Sequence, residues 1–134
     1  VKGQGAYRIN PDGSVDAIHV SDRKDHLRAM RSVSFFNDEE KAFMEAHKDR
    51  FEGEAEAVGA ANKFGALAEG SKDFFFRCSG GTKEWDVCSG DIILAEAGGI
   101  MVQPNGEKFT YNREDVYNRE GYVMANCREN LFLK

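Results

Sequence analysis

Hydrophobic and polar positions alternate in blocks along this chain, and the period of alternation changes from block to block. Residues 5–21, GAYRINPDGSVDAIHVS, place two β-rich segments around Asn-Pro-Asp-Gly, whose turn chemistry predicts a hairpin. RAMRSVSFF, residues 28–36, predicts a further strand. Asn37 then stands as a helix cap with Glu40 in capping-box position. Phe36, Phe43, Met44, His47 and Phe51 mark the inner face of that helix, and Gly53 stops it. EAEAVG predicts a short strand leading into a helix over residues 60–69, closed by Gly70. DFFFRC is a continuous apolar run of the kind found in strands covered on both faces. EWDVCSGDIILAEAGG predicts a helix that Gly98 and Gly99 end. IMVQPNGEKFTY reads as a second hairpin, and GYVMAN as a last strand.

Within the Trp-Asp helix, Trp85, Cys88, Ile92 and Ala95 form one stripe and Asp86, Gly90, Ile93 and Ala97 a second beside it. Ser89, Asp91 and Glu96 face elsewhere. The pattern predicts a largely buried helix that carries a carboxylate on a small, apolar face. Strands alternating with helices place the chain in the α/β class, as a layered mixed β-sheet with flanking helices. In such sheets ligands gather at the carboxyl ends of strands, where helices begin. Residues 59–63, Arg77 and Asp86 fall at places of that kind.

A chain of 134 residues suits one domain with a real core. The net charge of −5 argues against a general surface for nucleic-acid polymers or anionic membranes, since both need a basic patch. No apolar run approaches the ~20 residues of a membrane helix, and the first residues lack a basic-then-apolar leader. The cysteines, Cys78, Cys88 and Cys127, are odd in number and form no C-x-x-C, which predicts a reducing, cytoplasmic setting rather than a disulfide framework. His19, His26 and His47 form no zinc-type pair. A small anionic ligand is untouched by these exclusions, because it answers to local charge only.

Three places carry candidate chemistry. Asp86, in the first turn of its helix, is either a capping residue favoured by the macrodipole or an oxygen ligand for a hard cation such as Mg²⁺. Gly59-Ala60-Ala61-Asn62-Lys63 presents small residues at a helix start, a natural place for an anion. Lys63 opposes the helix dipole there, which is either a solvated lysine tolerated at small cost or a cation sharing an anion with the helix. Arg77 ends the Phe74-Phe75-Phe76 strand and either forks onto a phosphate or pairs with Asp73 or Glu84. NPDGS, residues 10–14, holds only Asp12 as a carboxylate and reads as ordinary turn text.

Taken together, these segments resemble the inositol monophosphatase superfamily. EWDVCSGDIILAEAGG is similar to its C-terminal signature, W-D-x-[AC]-x-x-x-x-[IL]-[IL]-x-x-A-G-G, with the spacing intact. VKGQGAYRIN…AIHVS resembles the family's glycine-rich hairpin, and GAANKFGALAEGSKDFFFR resembles the segment G-[AS]-x-x-K-x-x-x-x-[AE]-x-G-x-x-D-x-[YF]-x-[RE]. Lys63 and Arg77 look closest to the 3'(2'),5'-bisphosphate nucleotidase branch. In its S-R-S-H stretch this chain has VSFFND, with Asn37 at the place of the histidine.

The resemblance implies Mg²⁺-dependent phosphomonoester hydrolysis. Asp86 would hold a metal, and Gly59, Ala60, Lys63 and Arg77 would bind the substrate's phosphates, Ala60 through its backbone N–H alone. It implies a phosphorylated small molecule as substrate and also admits a homodimer. The family's other ligands, an upstream glutamate and a D-P-[IL]-D-G-T loop, do not occur in this sequence. Residues 1–134 are therefore expected to be the C-terminal α/β half of such a phosphatase, partnered by an N-terminal metal-binding half and inactive alone. An inositol-phosphate or sugar-phosphate phosphatase half, or a non-catalytic binding domain of the same fold, are the competing readings.

Overall fold

The computed structural model describes residues 1–133. Strands β1 (Ala6–Ile9) and β2 (Val15–Ile18) form the antiparallel hairpin that the turn chemistry predicts, and Asp12 closes the turn by accepting from the Ser14 amide at 2.9 Å. The remaining strands are β3 (Ala29–Ser32), β4 (Glu56–Val58), β5 (Phe74–Arg77), β6 (Ile100–Val102) and β7 (Tyr122–Ala125). They make one five-stranded sheet in the order β4-β3-β5-β7-β6. β3 runs parallel to β4 and β5, whereas β7 is antiparallel to both β5 and β6. Helices α1 (Asp38–Ala46), α2 (Asn62–Ala68) and α3 (Glu84–Glu96) flank it.

The two-residue period of the strands divides their side chains between two apolar layers. On one face Met30, Phe75 and Met124 pack with Phe64 and Leu67 of α2 and with Val87 and Leu94 of α3. On the other, Phe74, Val123 and Ala125 pack with Leu27, Phe51 and Leu131, and α1 adds Phe43 and Met44. Phe74 and Phe75 are 0% and 1% exposed. Full burial contributes about 1.5–3 kcal/mol for each such side chain. This is the layered mixed sheet expected from the sequence, with DFFFRC at its centre and covered on both sides.

At the amino-terminal end of the central strand β5 lies a buried polar knot. Asp73 is 0% exposed and accepts from Arg28 through its amide at 2.8 Å, Nε at 2.9 Å and Nη2 at 3.0 Å, and from the Ser21 hydroxyl. Burial works against the charge of Asp73, but the hydrogen bonds from Arg28 and Ser21 outweigh it and hold the carboxyl below its usual range. Asn126 ties the same Ser21 segment to the end of β7, through Nδ2 to the Ser21 carbonyl at 3.0 Å.

Several element boundaries differ from expectation. The α1 helix ends at Ala46 and gives way to a 3₁₀ turn, Lys48–Arg50, so Gly53 stops nothing helical. Asn37 does cap it, with Oδ1 accepting from the Glu40 amide at 2.8 Å. Glu40 does not return the bond; its carboxylate accepts instead from the Cys78 amide at 3.1 Å. The second hairpin also fails. Residues 103–107 make a turn, but β6 pairs with β7 rather than with residues 108–111. Finally, α3 buries Val87, Gly90, Leu94 and the following Ala97, while Trp85 and Cys88 stand exposed. Glu84, Asp86, Asp91 and Glu96 are spread around α3 among its apolar residues, so its sequence carries little periodicity to choose an inner face. The choice is made by Gly90, where an added Cβ would run into the Phe64 ring of α2.

Candidate active site

β3, β4 and β5 point their carboxyl ends the same way, and the chain leaves each of them toward one crest of the sheet. Ser32 ends β3, Val58 ends β4 ahead of Gly59, and Arg77 ends β5. The antiparallel β7 starts at that crest, with Tyr122 opposite Arg77. The first turns of α2 and α3 complete a cavity of about 580 Å³. Its lining includes Gly59, Ala60, Lys63, Arg77 and Asp86, so all five predicted site residues meet in one place.

Lys63 is 5% exposed. Its Nζ sits 5.0 Å from the centre of the Phe75 ring and 3.4 Å from the Ala60 carbonyl oxygen, with no carboxylate in ion-pair range among the described residues. Burial, with the Arg77 charge nearby, holds its pKa below the ordinary lysine value. The solvated-lysine reading is thereby removed. Arg77 likewise has no acidic partner among the described residues. Its Nε and Nη2 donate to the Ser79 and Gly80 carbonyls at 3.1 and 2.9 Å, and its guanidinium lies 5.4 Å from the Phe35 ring. The two carboxylates that might have claimed it are engaged elsewhere, Asp73 with Arg28 and Glu84 with Arg113. Two cations thus line one cavity, neither in an ion pair among the described residues, with the Asp86 carboxylate in the same lining. With Nε and one Nη2 hydrogen taken by carbonyls, Arg77 keeps its Nη1 hydrogens and the other Nη2 hydrogen to offer an anion.

The start of α2 differs in detail from the expected anion cradle. The helix begins at Asn62 rather than at residue 60. The amides of Asn62, Lys63 and Phe64 already donate to the carbonyls of Gly59, Ala60 and Ala61. Ala60 has φ +29°, a left-handed backbone rare for a residue with a Cβ, so the turn into α2 is held against local preference.

Asp86 sits in the first turn of α3 and realises the capping alternative with one oxygen. The Lys83 amide donates to Oδ2 at 2.8 Å, while Oδ1 has no hydrogen-bond partner among the described residues. Among the described residues Asp86 is the only carboxylate lining the cavity. Among the described residues no three His, Cys, Asp or Glu side chains gather closely enough to hold a metal ion. Asp86 therefore fits a hard cation as one ligand of a shell that phosphate, water or other groups complete.

Ser32, Ser34, Phe35, Thr82, Ser89 and Tyr122 also line the cavity, and sequence reasoning missed them. Tyr122 is 4% exposed, and burial, together with the Asp86 charge, pushes its hydroxyl up to about 12. Asn37 is not part of the lining; residues 32–35 face the cavity instead.

Residues 1–131 match the profile of the inositol monophosphatase family. The chain is 34% identical over 70 residues to 3'(2'),5'-bisphosphate nucleotidase 1 of Mus musculus, a match covering 52% of this chain and 23% of that protein. It is 38% identical over 59 residues to the 3'(2'),5'-bisphosphate nucleotidase CysQ of Aggregatibacter actinomycetemcomitans, covering 44% of this chain and 22% of that one. The crystal structure of CysQ from Bacteroides thetaiotaomicron superposes with a TM-score of 0.77 at 26% identity, over 95% of this chain and 52% of that chain. The chain thus spans about half the length of that solved relative. A match running through nearly the whole chain, on a fold that superposes as closely, decides the family: this chain belongs to the inositol monophosphatase family.

Proposed function

We propose that this chain is the C-terminal half of a Mg²⁺-dependent phosphatase that removes a phosphate from 3'(2'),5'-bisphosphate nucleotides. The observation that carries the reading is the pair Lys63 and Arg77, two cations without carboxylate partners among the described residues that line one cavity with Asp86. A substrate with two phosphates would offer one to Lys63 and Arg77 and the other to a metal held by Asp86. When bound, Mg²⁺ supplies Lewis acidity toward the phosphoryl oxygen and lowers the pKa of a coordinated water. Asp86 would hold the metal with its free carboxylate oxygen while the Lys83 amide fixes Oδ2. Lys63 and Arg77 orient the substrate and offset its charge.

The remaining ligands belong to an N-terminal half. Uncovered apolar side chains support that partner. Trp85, which also lines the cavity, is 60%, Ile93 43% and Ile9 76% exposed, on α3 and the β1–β2 hairpin, apolar surface that such a half would cover. No helix among the described residues is long and apolar enough to cross a membrane.

The test is phosphate release from adenosine 3',5'-bisphosphate with Mg²⁺, using the chain alone, the chain joined to its upstream half, and variants of the joined protein. The chain alone is expected to be inactive. Asp86→Asn should abolish most of the activity of the joined protein. Lys63→Gln and Arg77→Gln should each raise KM by about tenfold or more, the value of a lost hydrogen bond to a charged group. A joined protein that hydrolyses inositol phosphate but not the nucleotide refutes the role given to Lys63 and Arg77. One that hydrolyses neither makes this a binding domain.

A further inference from the structure

Residues 103–121 connect β6 to β7, which lie side by side and antiparallel. Such neighbours need a loop of only roughly 2–5 residues, so the length of this one calls for a cause. The segment first makes a short turn, with the Gly106 amide donating to the Gln103 carbonyl at 2.8 Å. It then leaves the sheet and crosses to α3. Tyr111 Oη donates to Asp91 Oδ2 at 2.6 Å, midway along the helix.

At residues 112–118 the segment closes around the helix start. Glu84 accepts from the Asn112 amide at 3.1 Å and from the amide and Nε of Arg113, both at 2.9 Å. Arg113 Nη2 donates to Asn118 Oδ1 at 2.8 Å. Asn118 Nδ2 in turn donates to Thr82 Oγ1 and the Lys83 carbonyl, both at 3.2 Å. Two backbone bonds of 2.9 Å, Asn118 to Thr82 and Glu84 to Val116, complete the ring. Asn118 is 2% and Glu84 9% exposed, so these two are satisfied within the ring rather than by water.

The residue at the centre of the ring is Lys83, whose amide holds Asp86 Oδ2 and whose carbonyl takes the Asp86 amide at 3.0 Å. We infer that Glu84, Arg113 and Asn118 form a hook that fixes the first turn of α3 and thereby aims the Asp86 carboxylate into the cavity. All three are positioning residues, since none of them lines the cavity. The inference rests on the proposed role of Asp86 as a metal ligand. Partners that orient a ligand in this way typically govern metal affinity by about 10–100-fold. A loop that merely stitched the surface together would serve equally well through Tyr111 and Asp91, and that contact provides the comparison.

Two readouts on the intact protein test the hook, amide hydrogen exchange at residues 83–87 and affinity for Mn²⁺ by electron paramagnetic resonance. The variants are Glu84→Gln, Arg113→Ala, Tyr111→Phe and Asp86→Asn. Glu84→Gln and Arg113→Ala should speed first-turn exchange by about tenfold or more while the Phe75 and Met124 amides keep their protection. They should weaken Mn²⁺ binding by about tenfold. Tyr111→Phe should do neither. Unchanged exchange in Arg113→Ala overturns the hook, and faster exchange with unchanged Mn²⁺ affinity overturns its positioning role. A wild type that binds Mn²⁺ no better than Asp86→Asn overturns the metal reading of Asp86 itself, an outcome the exchange data keep separate from failure of the hook.

Discussion

Alanine at Gly90 probes the contact that brings Lys63 and Asp86 to the same cavity. Gly90 lies on the inner face of α3, against Phe64 of α2, the residue next to Lys63. A Cβ on Gly90 would sit 2.7 Å from Phe64 Cδ2 and nearer still to Cγ and Cδ1. In an exposed helix the change would stabilise by about 1 kcal/mol. Here the atoms struck are at the root of the ring, and Phe64 is 4% exposed and stacked on Tyr122 at 6.1 Å, so it has no free direction in which to turn. Overpacking of this kind costs about 1–3 kcal/mol, and the rigid geometry favours the upper end. The net expectation is a loss of about 2 kcal/mol, or a Tm lower by about 8 °C for a domain of this size. Thermal melts of wild type, Gly90→Ala, Phe64→Ala and the double variant form the assay. Phe64→Ala removes Cγ and the ring beyond it, so the double variant should be more stable than the two single losses predict, by about 1 kcal/mol or more. A Gly90→Ala protein as stable as wild type, or strict additivity in the cycle, would refute the reasoning.

Asp73→Asn breaks the buried knot with Arg28 and is expected to cost about 3 kcal/mol at pH 7. Because the folded carboxyl lies below its unfolded value, the stability it adds is present above about pH 4 and is lost as pH falls through the folded value. Urea titrations should therefore show the gap between variant and wild type narrowing below about pH 4, and a constant gap would contradict the assignment. Gly121 has φ +80°, and a Cβ there would overlap the Arg77 carbonyl and lie 3.0 Å from Cys78 Cα. Gly121→Ala should lose at least about 2 kcal/mol in a thermal melt, the left-handed penalty plus the clash, and a wild-type Tm would show that β5 and β7 do not meet as described. Cys88 is exposed, whereas burial pushes the Cys78 thiol up, with Glu39 and Glu40 adding to the effect. Thiol labelling followed by mass spectrometry should find Cys88 modified about tenfold faster than Cys78; equal rates would remove the Glu40 contact as a shield.

The parts legible in the sequence are those marked by local chemistry. Asn-Pro-Asp-Gly announces its turn whatever surrounds it, and three consecutive phenylalanines require cover on both faces. Lys63, Arg77 and Asp86 stand beside helix starts or a strand end, so their residue types and punctuation suffice to pick them out. Tyr122 has no such marker. It reaches the cavity because β7 enters the sheet between β5 and β6, a pairing that spans residues 103–121 and leaves no local trace. The inner face of α3 was illegible for a related reason: it depends on which neighbour the helix meets, and Phe64 decides that only once α2 is in place. The carboxylates of Asp73 and Glu84 show the same limit, since the sequence offers Arg77 as a partner for either and only packing gives Arg28 to one and Arg113 to the other.

The insertion of β7 also orders events during folding. Arg77 ends β5 and pairs with Tyr122, the first residue of β7, so the floor of the cavity joins the middle of the chain to a strand near its far end. Closing so long a loop is slow compared with forming α2 or the β1–β2 hairpin. A growing chain that has made β3, β4 and β5 already possesses Lys63 and Arg77 but lacks the strand that walls them in. On the proposed function, the capacity to hold a phosphorylated ligand would arrive late, with the docking of β7, and a bound anion would then act as a latch that favours the completed sheet over every earlier intermediate.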